Sequence, residues 1–122
     1  MPIPRKHPSN ARRQLAYRER QALKRAAEIA DGFFPQRPLE GGWGPTLEKM
    51  RAWRSAAGRD SSSFGIEARI NGSTGTPDDW RKTYQEWEAL GATHMSVNTM
   101  GGNLGGPDGH IRRIREVWDA LQ

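Results

Sequence analysis

Cysteine is absent from the 122 residues, which excludes disulfides, thiolate zinc sites and cysteine nucleophiles. Histidine is scarce: His7, His94 and His110 are the only three, and their scatter matches no metal-ligand spacing. No apolar run approaches the roughly 20 residues of a membrane helix, and the opening "MPIPRKHPSN" lacks the apolar centre of a secretory signal. A soluble cytoplasmic protein with no membrane partner is therefore the expectation. No nucleophile, base and orienting group can be assembled from neighbouring motifs, so a self-contained hydrolase has no support.

What the chain does have is positive charge, a formal +5, and it is unevenly placed. Residues 1–30 hold Arg5, Lys6, Arg12, Arg13, Arg18, Arg20, Lys24 and Arg25 against Glu19 and Glu28, leaving the remainder about neutral. The basic character belongs to one arm and its helix. Such an arm touches phosphates in some proteins and is a solvated face in others; nucleic acid is not the expected partner. The division is a basic arm with the start of the first helix over 1–22, followed by one domain over 23–122.

Hydrophobic spacing predicts four helices and three strands. "NARRQLAYRERQALKRAAEIADG" reads as a helix of roughly twenty residues, with Ser9 or Asn10 as N-cap, Gly32 as stop, and Leu23, Ala26, Ala27 and Ala30 on its apolar stripe. "GFFP" is a short buried strand. "TLEKMRAWRSAAGRD" is a second helix, turning Leu47, Met50, Trp53 or Arg54, and Ala57 inward, with Gly58 at its end. "SFGIEARIN" alternates strictly, placing Phe64, Ile66, Ala68 and Ile70 on one face and Gly65, Glu67, Arg69 and Asn71 on the other. Thr76 caps a third helix lined by Trp80, Tyr84, Trp87 and Leu90. In "THMSVNTM", Met95 and Val97 face one way and His94, Ser96 and Asn98 the other. The last helix, from about Pro107, carries Ile111, Ile114, Val117, Trp118 and Leu121 on one stripe.

No two strands are joined by a hairpin-length turn, and helix alternates with strand, the pattern of repeated βα units in a parallel sheet. Strands of an open doubly wound sheet are apolar on both faces. The polar faces here instead suit a barrel, whose outer side packs on helices and whose inner side near the mouth tolerates polar groups. The expected fold class is α/β, a partial, half TIM-type (β/α)8 barrel; a whole one takes roughly 250 residues.

"LKRAAEIADGFFPQ", "MRAWRSAAGRD", "WEALGATHMSVNTMG" and "GPDGHIRRIREVW", in that order and at those separations, resemble the C-terminal part of the luciferase-like flavin-dependent oxidoreductases, eightfold α/β barrels. The likeness runs from Leu23 to the end. It implies that "GFFP" is the sixth barrel strand, "FGIEARIN" the seventh and "THMSVNTM" the eighth. It also implies FMN or a deazaflavin coenzyme at the barrel mouth, with monooxygenase or dehydrogenase chemistry on a small-molecule substrate. The chain departs from the family's pattern in two places. Strands one to four have no counterpart, and where the fifth strand enters a phosphate-binding Gly-Gly turn, "MPIP" is followed by "RKHPSNARRQ". A glycine turn lets amides and a helix dipole converge on phosphate; a basic replacement attracts it by charge alone.

The coenzyme-binding candidates are Asn98, Thr99, Gly101 and Gly102 at the end of the last strand, where barrels keep their ligands, and Arg69 on the neighbouring polar face. Asn98 and Thr99 also suit an ordinary strand-end turn bonded to backbone, and the glycines of "MGGNLGGPDGH" suit a flexible loop. Glu67 and Arg69 are two apart on one face and fit a structural ion pair. His94, near its strand start, fits a buried structural histidine. Trp53, Trp80, Trp87 and Trp118 read as core, while Trp43, amid "EGGWGP", is a candidate lid. Half a barrel leaves open strand edges that favour association, so the expected partners are a second copy or a separately encoded N-terminal half-barrel. The alternative function is a non-catalytic remnant or interaction module whose basic arm binds nucleic acid or a partner.

Overall fold

The computed structural model describes residues 9–122; "MPIP" and His7 lie outside them. Ser9 caps helix α1 (Asn10–Ile29), its hydroxyl accepting from the amide of Arg12 at 3.3 Å. The helix runs unbroken across the boundary drawn at residue 22, but only its second half packs: residues 10–18 are exposed, whereas Leu23, Ala26 and Ala27 join the core. Gly32 does not stop this helix. It opens a two-residue strand, β1 (Gly32–Phe33), because a Cβ there would sit 2.8 Å from the carbonyl oxygen of Gly65, so the glycine serves close approach of two strands.

Helix α2 (Gly44–Ala56) turns Leu47, Met50 and Arg54 inward and leaves Trp53 half-buried; Ala57, expected inside, lies beyond its last turn and is exposed. Strand β2 (Gly65–Asn71) follows a single 3-10 turn at Ser61–Ser63. Helix α3 (Pro77–Ala89) opens on a reciprocal cap: the amide of Asp79 donates to Thr76 Oγ1 at 3.3 Å, and the amide of Thr76 donates to Asp79 Oδ2 at 2.9 Å. Strand β3 (His94–Asn98) and helix α4 (Pro107–Leu121) complete the described chain.

The three strands form one parallel sheet in the order β1, β2, β3, with Gly32 opposite Gly65 and Glu67 opposite His94. Each strand thus neighbours the next in sequence, with a helix between. Phe64 and Ile66 pack with Ala27, Leu47, Met50 and Trp43 in one apolar cluster, and Ile70 packs with Trp80, Val117 and Ala120 in a second. Because Ile66 and Ile70 share a face of β2, all four helices lie on one side of the sheet.

Helix α4 departs from expectation. Val117 and Ala120 are buried, but Ile111, Ile114 and Trp118 are 60%, 46% and 64% exposed. The apolar arc of α4 is wider than the surface that α3 and β3 present to it, so half of the arc faces water. Periodicity assigns residues to a stripe; it does not supply a neighbour to cover the stripe.

Every helix end leaves unsatisfied carbonyls, and neither α1, α3 nor α4 has a basic residue in its own last turn. Arginines of neighbouring segments answer them. Arg54, only 2% exposed, donates from Nη1 to the carbonyls of Ala30 at 2.6 Å and Ala27 at 3.2 Å, and from Nε to that of Asp60 at 2.8 Å, with its guanidinium 4.8 Å from the centre of the Phe64 ring. Arg59 reaches Ala30 O at 3.1 Å, Arg51 reaches Leu90 O at 2.7 Å, and Arg81 reaches Ala120 O at 2.8 Å.

Arg54→Ala should destabilise the protein by about 2–4 kcal/mol in urea unfolding, since it strands buried acceptors and empties a filled site. Arg54→Lys should recover only part of that loss, because one ammonium cannot span carbonyls on two separate segments. Asp60 offers a pH test. Its carboxylate accepts from the Ser62 hydroxyl at 2.7 Å and the Ser62 amide at 2.9 Å, which together hold its pKa below the ordinary aspartate range, with Arg54 adding a smaller effect. A lowered folded-state pKa gives stability that is present above the unfolded value and lost as pH falls through the folded one. Ser62→Ala should move the NMR titration of Asp60 upward and shrink that acid-side loss.

Candidate functional site

Parallel pairing in register puts side chains of paired residues on the same side of the sheet. The face away from the helices therefore carries Glu67 beside His94, Arg69 beside Ser96, and Asn71 beside Asn98. Arg69, Asn71 and His94 are exposed, and Glu67, Ser96 and Asn98 half-buried. No helix covers this face in residues 9–122.

Near its middle, the guanidinium of Arg69 lies 4.7 Å from the centre of the Phe34 ring. The ion pair expected between Glu67 and Arg69 is not among the contacts of the described residues. Residues two apart on a strand stand some 6.5 Å apart along it, and the aromatic face of Phe34 holds the cation instead. Phe34 and Glu67 border a concavity of about 410 Å³ that reaches His94. Arg69 and Asn71 border another of about 480 Å³, which runs under Arg37, Trp43 and Trp87.

Trp43 is not a lid. It is 8% exposed, its indole Nε1 donates to the carbonyl of Arg37 at 2.8 Å, and its ring centre lies 5.5 Å from that of Phe33. The glycines around it bend the loop so that the indole turns into the core. His94 is not buried either: it is exposed at the start of β3, with Nδ1 2.8 Å from Thr93 Oγ1. Nothing among the described residues packs over that end of the open face.

The candidates at the end of β3 are brought together, but most are engaged locally. Asn98 Oδ1 accepts from the amide of Met100 at 3.0 Å, as its registered neighbour Asn71 accepts from the amide of Ser73 at 3.1 Å, so the two asparagines end adjacent strands with the same side-chain turn. Thr99 Oγ1 lies 2.8 Å from Nδ1 of His110 in the first part of α4. Gly102 sits against the preceding strand-to-helix loop, where a Cβ would meet Ser73 O at 2.7 Å. Gly101, with φ of 81°, has open space around its α-carbon, and Gly106 begins α4 without a side-chain cap. Asp108 stands in that first turn, and its charge works against an anion there.

Arg113 escaped the sequence reading. Its Nη1 donates to Gly72 O at 2.8 Å, its Nε to Glu116 at 3.1 Å, and its guanidinium lies 5.7 Å from the centre of the Trp80 ring. It ties the loop after β2 to α4, and so holds the rims of the last two strands together. The available signal was its place on the buried side of α4 beside Val117. No group of three or more His, Asp or Glu side chains able to hold a metal ion occurs among the described residues, and no helix there is long and apolar enough to cross a membrane.

Gly102→Ala should displace the loop from Ser73 and cost about 1–3 kcal/mol by overpacking, with hydrogen exchange accelerated at the rim residues 71–73 and 99–103. Gly101→Ala, where space is open but φ is 81°, should cost about 1–2 kcal/mol through backbone strain alone and leave the Ser73 contact, and exchange at residues 71–73, unchanged.

No family model matches this chain, and no curated protein or solved structure shows significant similarity to it.

Proposed function

We propose that this chain is a truncated or subunit form of a luciferase-like flavin- or deazaflavin-dependent oxidoreductase, contributing the C-terminal strands of a TIM-type barrel. One observation carries the proposal: three consecutive parallel strands have all their helices on one side and a polar, uncovered face on the other. A doubly wound sheet buries both faces, whereas a barrel wall is built in this one-sided way, with ligands at the C-terminal strand ends. The sequence likeness quoted above names the family.

The residues present fit one wall of a coenzyme site. Arg69 and the open backbone near Gly101 would face its anionic end, and Ser96, Asn98 and Thr99 would border its ring system. When bound, the coenzyme supplies hydride transfer or oxygen activation, and the protein's part is to position it. The opposite wall comes from outside residues 9–122, from a second copy or a complementary N-terminal half-barrel. A second reading draws on the exposed first half of α1, with Arg12, Arg13 and Arg18: an interaction module that binds nucleic acid or a partner through charge.

Titration of FMN and of a deazaflavin coenzyme with micromolar protein decides between them. Fluorescence quenching, weakened about tenfold in Arg69→Ala as expected for loss of one charged hydrogen bond, supports the oxidoreductase. Unquenched coenzyme together with salt-sensitive retention on nucleic acid supports the module.

A further inference from the structure

The two edges of the sheet differ in ways that fit each other. At one edge, β3 offers five residues of backbone unpaired among the described residues, with neither proline nor lysine to blunt it. Beside it, Ile111, Ile114 and Trp118 of α4 form a convex apolar stripe open to water. At the other edge the strand is only two residues long, with Pro35 soon after it, and the surface is concave: a groove of about 270 Å³ between α1 and β1 has Ala22, Leu23, Phe33 and Trp43 on its apolar lining and the Glu19–Arg37 ion pair beside them.

Charge separates the same two edges. Helix α1, on the concave edge, carries six Arg and Lys against two Glu; α4, on the other edge, is balanced at three against three, and α3 beside it carries two against four. Two basic α1 edges repel each other, and each is drawn toward the mildly acidic α3–α4 side of another copy, which favours a head-to-tail contact.

We propose that the β3–α4 edge of one copy docks on the α1–β1 edge of a second copy, with Trp118 and Ile114 seated in the groove beside Ala22. The inference rests on the reading that the open sheet is completed from outside the described residues, and it specifies the occupant as this same chain. A heterologous contact of this kind repeats until it closes into a ring or runs on.

Complementary edge variants test it. Trp118→Glu disables the convex edge and Ala22→Glu the concave one; both positions are exposed, so circular dichroism should show each variant folded. Wild type in low salt should sediment above monomer mass at micromolar concentration and shift toward monomer as salt rises. Each variant alone should be monomeric, and an equimolar mixture should form a species of twice the monomer mass, because each retains the edge the other has lost. A monomeric wild type, a mixture that stays monomeric, or loss of association in Trp118→Glu with none in Ala22→Glu overturns the proposal. Coenzyme titration of the same samples separates the two ideas: association without coenzyme binding leaves this contact standing and removes the enzyme reading, and coenzyme binding by a strict monomer does the reverse.

Discussion

Arginine meeting the free carbonyls of helix ends is the interaction on which the rest of this fold depends. Helices α1, α3 and α4 end without a basic residue of their own, and their last carbonyls are reached by Arg54, Arg59, Arg51 and Arg81 from other segments. A guanidinium suits this task because its planar fork serves two or three acceptors at once. The Arg54 node has a wider effect. The carbonyl of Ala30 lies just before β1 and that of Asp60 just before the turn into β2, so one buried side chain fixes where both strands begin. The amide of Gly65 then donates to Asp31 O at 3.1 Å, and the pairing of Gly32 with Gly65 follows. Much of the positive charge of the neutral-looking part of the chain is therefore structural, spent on backbone oxygens inside the protein.

From that starting register comes the division of the sheet into an apolar side and a polar side. Ile66, Ala68 and Ile70 are almost wholly withdrawn from water, at roughly 25 cal/mol for each Å² of apolar surface removed. Glu67, Arg69 and Asn71 are thereby directed the other way, whatever their own preferences. The polar face is thus a consequence of how the helices pack, and its chemistry is set by which residues occupy alternate positions. Arg69 resting on Phe34 is the most defined feature there. Cation and ring stabilise each other modestly at such an exposed place, by about 0.5–1 kcal/mol, weak enough for an anionic ligand to draw the guanidinium away.

Much of the fold was legible in the residues. Strict alternation from Phe64 to Ile70 marked the central strand, Thr76 marked the start of α3, and the lack of hairpin turns implied parallel strands. Each of these signals is local or depends only on the order of elements. What could not be read depended on neighbours. Ile111, Ile114 and Trp118 do share a stripe, but nothing in residues 9–122 covers it; Trp43 sits among glycines that look like a mobile loop, yet its indole finds Arg37 O and the Phe33 ring. Arg54 was one of two residues read as facing inward on α2, but its acceptors and those of Arg51, Arg59 and Arg81 were not legible, because they depend on where other helices end. At the site, the strand-end position of Asn98 and Thr99 and a side-chain turn bonded to backbone were legible, but the His110 contact of Thr99 was not, since it depends on where the loop from Met100 to Gly106 folds back.

Strand β2 belongs to both apolar clusters, Ile66 to the one built on α1 and α2 and Ile70 to the one built on α3 and α4. The molecule is therefore two small cores threaded on a single rod. Loosening at the far end of α4 can proceed while the first core stays shut, but any disturbance of the rod itself must release both together. Its backbone amides should be the last in the chain to surrender their hydrogens to solvent.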